Sequence, residues 1–120
     1  MARPGRLSRQ QAEARGRRAE TFAALFLRAT FYTILDRRVR LPMGEIDLIA
    51  KRGSVLAFVE VKQRATLEKC QTAVSLQSWR RIASAASVWA SQKAHLADCE
   101  WRYDLVAVTP RALPKPIIDY

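Results

Sequence analysis

The sequence predicts a single α/β domain in which helices flank a mixed central sheet, in the order α-β-β-β-α-β. Three observations predict it. Apolar residues recur at helical spacing over residues 8–29 and again over residues 73–96. Between them lie two β-type runs, 44–49 and 58–62, joined by a short turn. A segment rich in β-formers, 101–109, follows the second helix, and a right-handed crossover makes it parallel to the third strand.

The chain is long enough for one domain with one hydrophobic core. It has 120 residues, of which 49% are hydrophobic. Residues 1–7 contain Pro4 and Gly5, which oppose regular structure, and they are predicted to form a flexible basic arm. Residues 8–120 are predicted to form the single domain.

The remaining elements follow from local signals. Ser8 can cap the first helix, which is predicted to end near Ala29. Residues 31–38 are predicted as the first strand and residues 66–72 as a polar loop. The tail after the last strand is broken by prolines and can add an edge strand. The inward face of the second helix is predicted to comprise Leu76, Trp79, Ile82, Ala83, Ala86 and Trp89.

The turn at residues 51–54 sets the register of the two acidic strands. If Arg52 and Gly53 are its central residues, Asp47 lies opposite Phe58. Side chains alternate between the faces of a strand, and the polar positions then share one face: Glu45, Asp47, Glu60 and Lys62. The other face is wholly apolar and includes Ile46 and Leu48. Asp47 and Glu60 become diagonal neighbours, so their carboxylates can converge on one cation.

That group of side chains has the chemistry of a divalent-cation site. Two carboxylates and a nearby main-chain carbonyl make a hard oxygen site suited to Mg²⁺ or Mn²⁺. Such an ion can polarise a phosphate and lower the pKa of a bound water. Lys62 lies two residues past Glu60, so its ammonium points into the same space and can stabilise charge on phosphate oxygens. Hydrolysis of a phosphodiester needs this arrangement.

Several of these residues also have a purely structural interpretation. The two acids and the lysine could be a salt-bridge cluster that only supports the fold. Glu45 is as suited to pairing with an arginine as to contacting a metal. Arg102 and Asp104 alternate with apolar neighbours, which predicts an internal ion pair. Trp79 and Trp89 lie on the apolar stripe and are expected in the core rather than stacked on bases.

The charge balance predicts a polyanionic partner. The formal net charge is +10, from 21 Lys and Arg against 11 Asp and Glu. Arginine dominates the basic set and suits phosphate, although each arginine could instead be a solvated surface residue. The candidate contacts to nucleic acid are Arg15, Arg17, Arg18, Arg37, Arg38, Arg40, Arg64, Arg80 and Arg81.

Cysteine usage and hydropathy exclude some classes. Cys70 and Cys99 have no C-x-x-C spacing and the chain has one histidine, which argues against a zinc site. Two free thiols suit a reducing cytosol, so a cytoplasmic location is expected. No apolar run is long enough to cross a membrane, so no membrane partner is expected.

The acidic motif resembles that of a known group of enzymes. Asp47, a hairpin and then Glu60-Val61-Lys62 look like the motif of the PD-(D/E)xK nucleases. More closely, the chain is similar to the YraN-type family of small bacterial proteins, which are related to Holliday-junction resolvases. The likeness runs from about Gly16 to Val108. It includes Gly16, Glu20, Ala23, Leu27, Arg40, the run GEIDLIA at 44–50, FVEVK at 58–62, Arg64, the Arg80-Arg81 helix and Arg102-Tyr103-Asp104.

The resemblance implies a restriction-endonuclease-like three-layer fold and assigns roles to the motif. Asp47 and Glu60 would be metal ligands, with Lys62 the catalytic lysine. Glu20 would be the acid contributed by the first helix, although it could also be a surface acid there. The sequence departs from the family pattern at Ala19, where a glycine is usual, and at Arg38, where an asparagine is usual.

Two functions follow from the resemblance. The first is an endonuclease that uses Mg²⁺ or Mn²⁺ to hydrolyse DNA, with branched or damaged structures as candidate substrates. The second is a nucleic-acid-binding module that keeps the nuclease fold without catalysis. A homodimer would suit a junction substrate, although no heptad pattern specifies one.

Overall fold

One five-stranded sheet organises the chain. The structure is a computed structural model that describes residues 6–118. The spatial order of the strands is the same as their order in the chain. The elements are α1 (Arg6–Ala29), β1 (Thr33–Leu41), β2 (Gly44–Arg52), β3 (Val55–Gln63), α2 (Leu67–Thr72), α3 (Leu76–Ser91), a 3₁₀ turn (Ala94–Leu96), β4 (Glu100–Val108) and β5 (Lys115–Ile117).

The pairing of the strands makes the sheet mixed, as predicted. Strands β1, β2 and β3 form an antiparallel meander. The crossover through α2 and α3 makes β4 parallel to β3, because a helical connection carries the chain back to the same end of the sheet. The tail does supply an edge strand, since β5 pairs antiparallel with β4.

The sheet separates two hydrophobic cores, one beneath each long helix. On the α3 side, Phe58 packs with Ile82 and Trp89. On the α1 side, Leu27 packs with Val59. A buried side chain of this size contributes about 1.5–3 kcal/mol through apolar burial, so each face holds its helix in place. The resulting helix–sheet–helix layering confirms the predicted α/β class and is compatible with the three-layer nuclease-like fold. Within residues 6–118, no helix is long and apolar enough to cross a membrane.

The first helix begins earlier than the sequence predicts. It starts at Arg6, so Ser8 lies inside the helix instead of capping it. Good helix formers continue on both sides of Ser8, and they outweigh a single capping signal. The predicted flexible arm falls largely on residues 1–5, which lie outside the described part of the chain.

The predicted loop at residues 66–72 is wrong, because α2 forms there. The Thr66 side chain caps α2 by accepting the Lys69 N–H at 3.2 Å. The predicted long helix is also shorter in the structure. It begins at Leu76, after Ser75 caps it by accepting the Ser78 N–H at 3.1 Å. Leu76, predicted to face inward, is 66% exposed because it occupies the first turn beyond the edge of the core.

The register of the β2–β3 hairpin differs from the prediction by two residues. Arg52 pairs with Val55 and Ile49 with Phe58, so the central turn residues are Gly53 and Ser54. Gly53 has a φ of 59°, a conformation that the first central position of a two-residue hairpin requires and that glycine adopts without strain. A shift by two residues preserves the face of every side chain.

The sequence predicts that Ile46 and Leu48 share one wholly apolar face of the hairpin, and this prediction is wrong for Ile46. Ile46 packs in the core beneath α3, whereas Leu48, two residues later, packs in the core beneath α1. The alternation is interrupted at Asp47. In the neighbouring strand, Arg38 lies between the partners of Ile46 and Leu48 and has a φ of 52°. A left-handed residue of this kind bends a strand and changes which face the following side chains take.

Candidate active site

The candidate site forms where β2 and β3 separate. Their paired residues extend from the turn to Leu48 opposite Val59. Beyond that pair, Oδ2 of Asp47 accepts the Val61 N–H at 2.8 Å. A side-chain carboxylate therefore satisfies a strand donor that a main-chain carbonyl would otherwise satisfy. The interruption of β2 at Asp47 thus fixes this carboxylate between the two strands.

The carboxyls of Asp47 and Glu60 interact directly. Burial, repulsion by Glu60 and a hydrogen bond between the two carboxyls raise the pKa of Asp47 from 3.8 to about 8, against the lowering effect of the Val61 N–H. The charged form is disfavoured because it is desolvated next to a second acid. A proton or a cation would each relieve this unfavourable charge.

Lys62 lies beside the pair. Its Nζ is 3.4 Å from Oε1 of Glu60, and 27% of the lysine side chain is exposed. The two residues are separated by one position on β3, which puts both side chains on one face of the strand. The ammonium thus points into the same space as the acids, and part of it faces solvent.

Glu20 lies near the pair but has another partner. It lines the same cleft as Asp47 and Glu60. Its Oε1 accepts the Arg38 Nε at 2.8 Å, and this ion pair links α1 to β1. Within residues 6–118, no three His, Cys, Asp or Glu side chains group closely enough to hold a metal ion together. A metal at this site would therefore rely on two carboxylates, and Glu20 would act on it indirectly.

The cleft has a volume of about 480 Å³ and is bordered by basic side chains. Arg15 lines the cleft from α1, where the small residues Gly16 and Ala19 leave space beside the acids. Arg64 lines it from the position directly after β3. A neighbouring cavity of about 530 Å³ lies on the α3 side and includes Arg81. Two of the nine predicted arginines therefore border the acids directly, and a third borders the adjoining space.

The other predicted arginines are distributed over the surface. Arg17, Arg38 and Arg40 line a groove together with Glu13 and Glu20. Arg37 donates to the Thr21 hydroxyl at 3.1 Å. The remaining two, Arg18 on α1 and Arg80 on α3, are exposed. The structure does not bring these six arginines to the acidic pair.

An internal ion pair supports the sheet next to the site. Asp104, which is 4% exposed, lies beside Val59 in the parallel register. The Arg102 Nη2 donates to it at 2.8 Å, as the sequence predicts, and the same nitrogen donates to the Tyr32 hydroxyl. This paired charge ties β4 to the chain entering β1, because a buried carboxylate is tolerated only with such partners.

Sequence reasoning missed the contribution of Gly44. A Cβ at this position would lie 2.4 Å from the main-chain oxygen of Arg81, so only glycine allows α3 to approach the start of β2. This contact sets the position of α3 against the strand that carries the acids. A glycine that opens a strand directly before Glu45 was the available signal.

The comparison with known proteins assigns the chain to a family. The model of the uncharacterised protein family UPF0102 matches residues 19–108. A UPF0102 protein of Chelativorans sp. (strain BNC1) is 50% identical over 114 residues, which are 95% of this chain and 92% of the relative. A UPF0102 protein of Maricaulis maris is 45% identical over 108 residues, 90% of this chain and 85% of the relative. The chain belongs to the UPF0102 family, which is the YraN-type family indicated by its acidic motif.

Proposed function

We propose that the protein is a metal-dependent nuclease that hydrolyses phosphodiester bonds in DNA. The observation that carries the proposal is that Asp47, Glu60 and Lys62 line one open cleft with basic side chains at its border, with Oδ2 of Asp47 held by the Val61 N–H at 2.8 Å and the Lys62 ammonium 3.4 Å from Glu60. A cluster that served only the fold would gain by pairing each acid with a base. Here Glu60 is paired with Lys62, but Asp47 is buried beside a second acid, which costs stability and favours a functional role.

The donor chemistry of the pair fits a hard divalent cation. Carboxylate oxygens are the ligands that Mg²⁺ and Mn²⁺ prefer, and the repulsion between the two acids would be relieved by such an ion. Asp47 and Glu60 would hold it, with main-chain oxygen and water completing the shell. When bound, the ion would polarise the phosphate and lower the pKa of a coordinated water.

The side chains around the pair would supply the remaining steps. Lys62 would orient the attacking water and stabilise the negative charge that develops on the phosphate oxygens. The water oxygen forms a bond to phosphorus, the ester P–O bond breaks and a proton passes to the leaving oxygen. Arg15 and Arg64, at the rim of the cleft, would hold the flanking phosphates in register.

A second function class is a nucleic-acid-binding module that retains the fold without turnover. The net charge of +10 supports binding in either class. The intact set of two acids and a lysine favours the nuclease, since binding alone needs no pair of mutually repelling carboxylates on a phosphate path.

A cleavage assay separates the two classes. Wild-type protein should cut a member of a panel of linear duplex, branched, single-stranded DNA and RNA substrates when Mn²⁺ or Mg²⁺ is present, and should not cut with EDTA. Asp47→Ala should lose cleavage and Mn²⁺ binding measured by calorimetry, yet bind DNA at least as tightly because a negative charge is removed. Asp98→Ala, which removes an exposed acid after the 3₁₀ turn, is the matched control and should cut normally. Wild-type protein that binds the panel but cuts none of it would establish the binding-module class.

A further inference from the structure

A second cavity opens on the α3 side of the same acidic pair. Its volume is about 530 Å³, and it shares Glu45 and Glu60 with the cleft on the α1 side. The two spaces therefore meet at Glu45 and Glu60, whereas Asp47 lines only the α1-side cleft. Both linings are largely polar, and the α3-side cavity adds apolar side chains of the β1–β2 turn.

The apolar contacts come from the end of β1 and the β1–β2 turn. These supply Leu41, Pro42 and Met43, whereas Ile82 of α3 also lines the cavity but is only 2% exposed. Met43 is 38% exposed, so its side chain is available to a ligand. Methionine adapts its shape to flat or irregular surfaces and contacts aromatic rings favourably. Met43 and Pro42 therefore offer an apolar contact to a planar ring within a lining that is otherwise largely polar.

Two polar groups of α3 complete the cavity. Ser78 and Arg81 both line it. The Ser78 hydroxyl lies 3.0 Å from the Ser75 hydroxyl, which leaves it further hydrogen-bonding capacity. The Arg81 guanidinium is exposed and makes no hydrogen bond or ion pair with residues 9–118. A guanidinium can stack on a heterocycle while it donates to the ring's acceptors or to a neighbouring phosphate.

The position of this cavity is fixed by backbone packing. Gly44 allows the start of β2 to approach the Arg81 main-chain oxygen, where an added Cβ would lie only 2.4 Å away. The turn that carries Met43 and the helix that carries Arg81 are thereby held against each other. The relative position of these two walls is thus set by backbone packing.

We infer that this cavity binds the base of an unpaired nucleotide adjacent to the phosphodiester held at Asp47 and Glu60. The inference rests on the proposed function, which places that phosphodiester at the acids. A base in continuous duplex is stacked and paired, so only a single-stranded or extruded base can leave the strand axis and enter a side cavity. The substrate class is therefore DNA with an unpaired nucleotide at the cleavage position, such as a flap, bulge or branch point.

The neighbouring arginines of α3 give a matched test. Arg81 lines the cavity, whereas Arg80, the preceding residue, is exposed and does not line it. Binding is measured with EDTA present, to two oligonucleotides of equal length: a perfect duplex and the same duplex carrying one bulged 2-aminopurine. Arg81→Ala should weaken binding to the bulged duplex about tenfold more than binding to the perfect duplex. Arg80→Ala should weaken both to the same extent, since it removes only a charge.

The fluorescence emission of 2-aminopurine shows whether the base leaves the DNA stack. It should rise when wild-type protein or Arg80→Ala binds, because the base leaves the DNA stack and none of the described residues lining the cavity is aromatic. The rise should be smaller with Arg81→Ala and with Met43→Ala, which keeps the charge and enlarges the cavity.

Equal losses for the two arginine variants on both oligonucleotides would overturn the inference, as would binding without a change in emission or no binding at all. A protein that shows the discrimination in EDTA but cuts nothing with Mn²⁺ would support the base-binding cavity and defeat the proposed nuclease. The two proposals therefore fail separately.

Discussion

Asp47 accepts the Val61 N–H through Oδ2 at 2.8 Å, while its carboxyl lies against that of Glu60. The hydrogen bond stabilises the strands, whereas the second acid opposes ionisation. Because the pKa of Asp47 is raised from 3.8 to about 8, its contribution to stability is greatest below pH 4 and is lost as the pH rises through about 8. Without metal, the free energy of unfolding should therefore fall between those two values.

Asp47→Asn should remove this decrease in the free energy of unfolding at high pH. Asparagine keeps an oxygen for the Val61 N–H and carries no charge, so the variant should melt several degrees higher than wild type near pH 8 in EDTA, and by a smaller margin near pH 4. Thermal unfolding across this range measures the effect. Asp98→Asn, an exposed acid, is the control and should show no such gain. A variant that melts at or below wild type at pH 8 would contradict the raised pKa of Asp47.

Lys62 is the residue whose loss should separate chemistry from binding. It is neither an expected metal ligand nor the main source of positive charge, so Lys62→Ala should bind DNA and Mn²⁺ nearly as wild type does. Cleavage should fall by about a hundredfold or more, the scale of losing a positioned charge stabiliser. Lys69→Ala removes the same charge from exposed α2 and should cut normally. Equal cleavage by the two variants would place the chemistry elsewhere.

At the scale of elements, α3 is positioned by one close backbone contact. A Cβ on Gly44 would lie 2.4 Å from the Arg81 oxygen and 2.8 Å from its carbonyl carbon, and backbone atoms cannot move aside cheaply. Gly44→Ala should therefore destabilise the protein by about 1–3 kcal/mol, the usual cost of overpacking, and displace α3 from β2.

Gly16 provides a control for the predicted destabilisation by Gly44→Ala. Gly16 lies inside α1 and a Cβ there meets nothing within 4 Å, so Gly16→Ala should stabilise the protein by about 0.5–1 kcal/mol through helix propensity. Urea unfolding of the two variants should thus give opposite signs. If both variants were as stable as wild type, the approach of α3 to β2 would be looser than described.

The hairpin shows how one element combines two roles. Its turn end is regular, with Gly53 supplying the positive φ, and its paired residues extend to Leu48 and Val59. Its far end is interrupted at Asp47, next to the left-handed Arg38 of β1. The regular part buries apolar side chains on both faces, and the interrupted part presents carboxylates at an opening. The part of the hairpin that builds the core and the part that carries the candidate site are thereby separated along a single pair of strands.

At the scale of the whole molecule, the charge distribution governs how DNA would be bound. The net charge is +10, and the cleft next to the acids is bordered by Arg15 and Arg64. The logarithm of the DNA-binding constant should fall steeply and linearly with the logarithm of salt concentration, because each phosphate contact releases counterions. Sequence preference should be weak, since the sequence carries no recognition-helix pattern.

Variants of the arginines that border the cleft test this charge distribution. Arg15→Ala and Arg64→Ala should each reduce the salt slope by about one, whereas Arg28→Ala, at the far end of α1, should leave it unchanged. Fluorescence anisotropy over a series of salt concentrations provides the slopes. A flat salt dependence, or equal slopes for all three variants, would show that DNA binds away from the cleft.

The features set by local sequence were predictable. Apolar spacing specified the two long helices, and period-two patterns specified the strands, because both signals act over a few neighbouring residues. The crossover between β3 and β4 followed from chain connectivity, and the resemblance carried by residues 44–50 and 58–62 identified the family that the comparison confirms. The ends of the helices were not predictable from single capping residues. Ser8 lies inside α1 instead of capping it, and Thr66 caps a helix where a loop is predicted.

Contacts between distant residues were decided only by the tertiary structure. Ile46 and Leu48 pack in opposite cores, next to the left-handed Arg38 of the neighbouring strand, and strand alternation alone could not predict this. Glu20 is tied to Arg38, and Gly44 meets Arg81, through approaches that depend on how each helix packs on the sheet. The sequence by itself determined which residues could perform the chemistry. The packing of α1 and α3 on the two faces decided which of them meet, because side chains far apart in the chain come together only when the whole core closes.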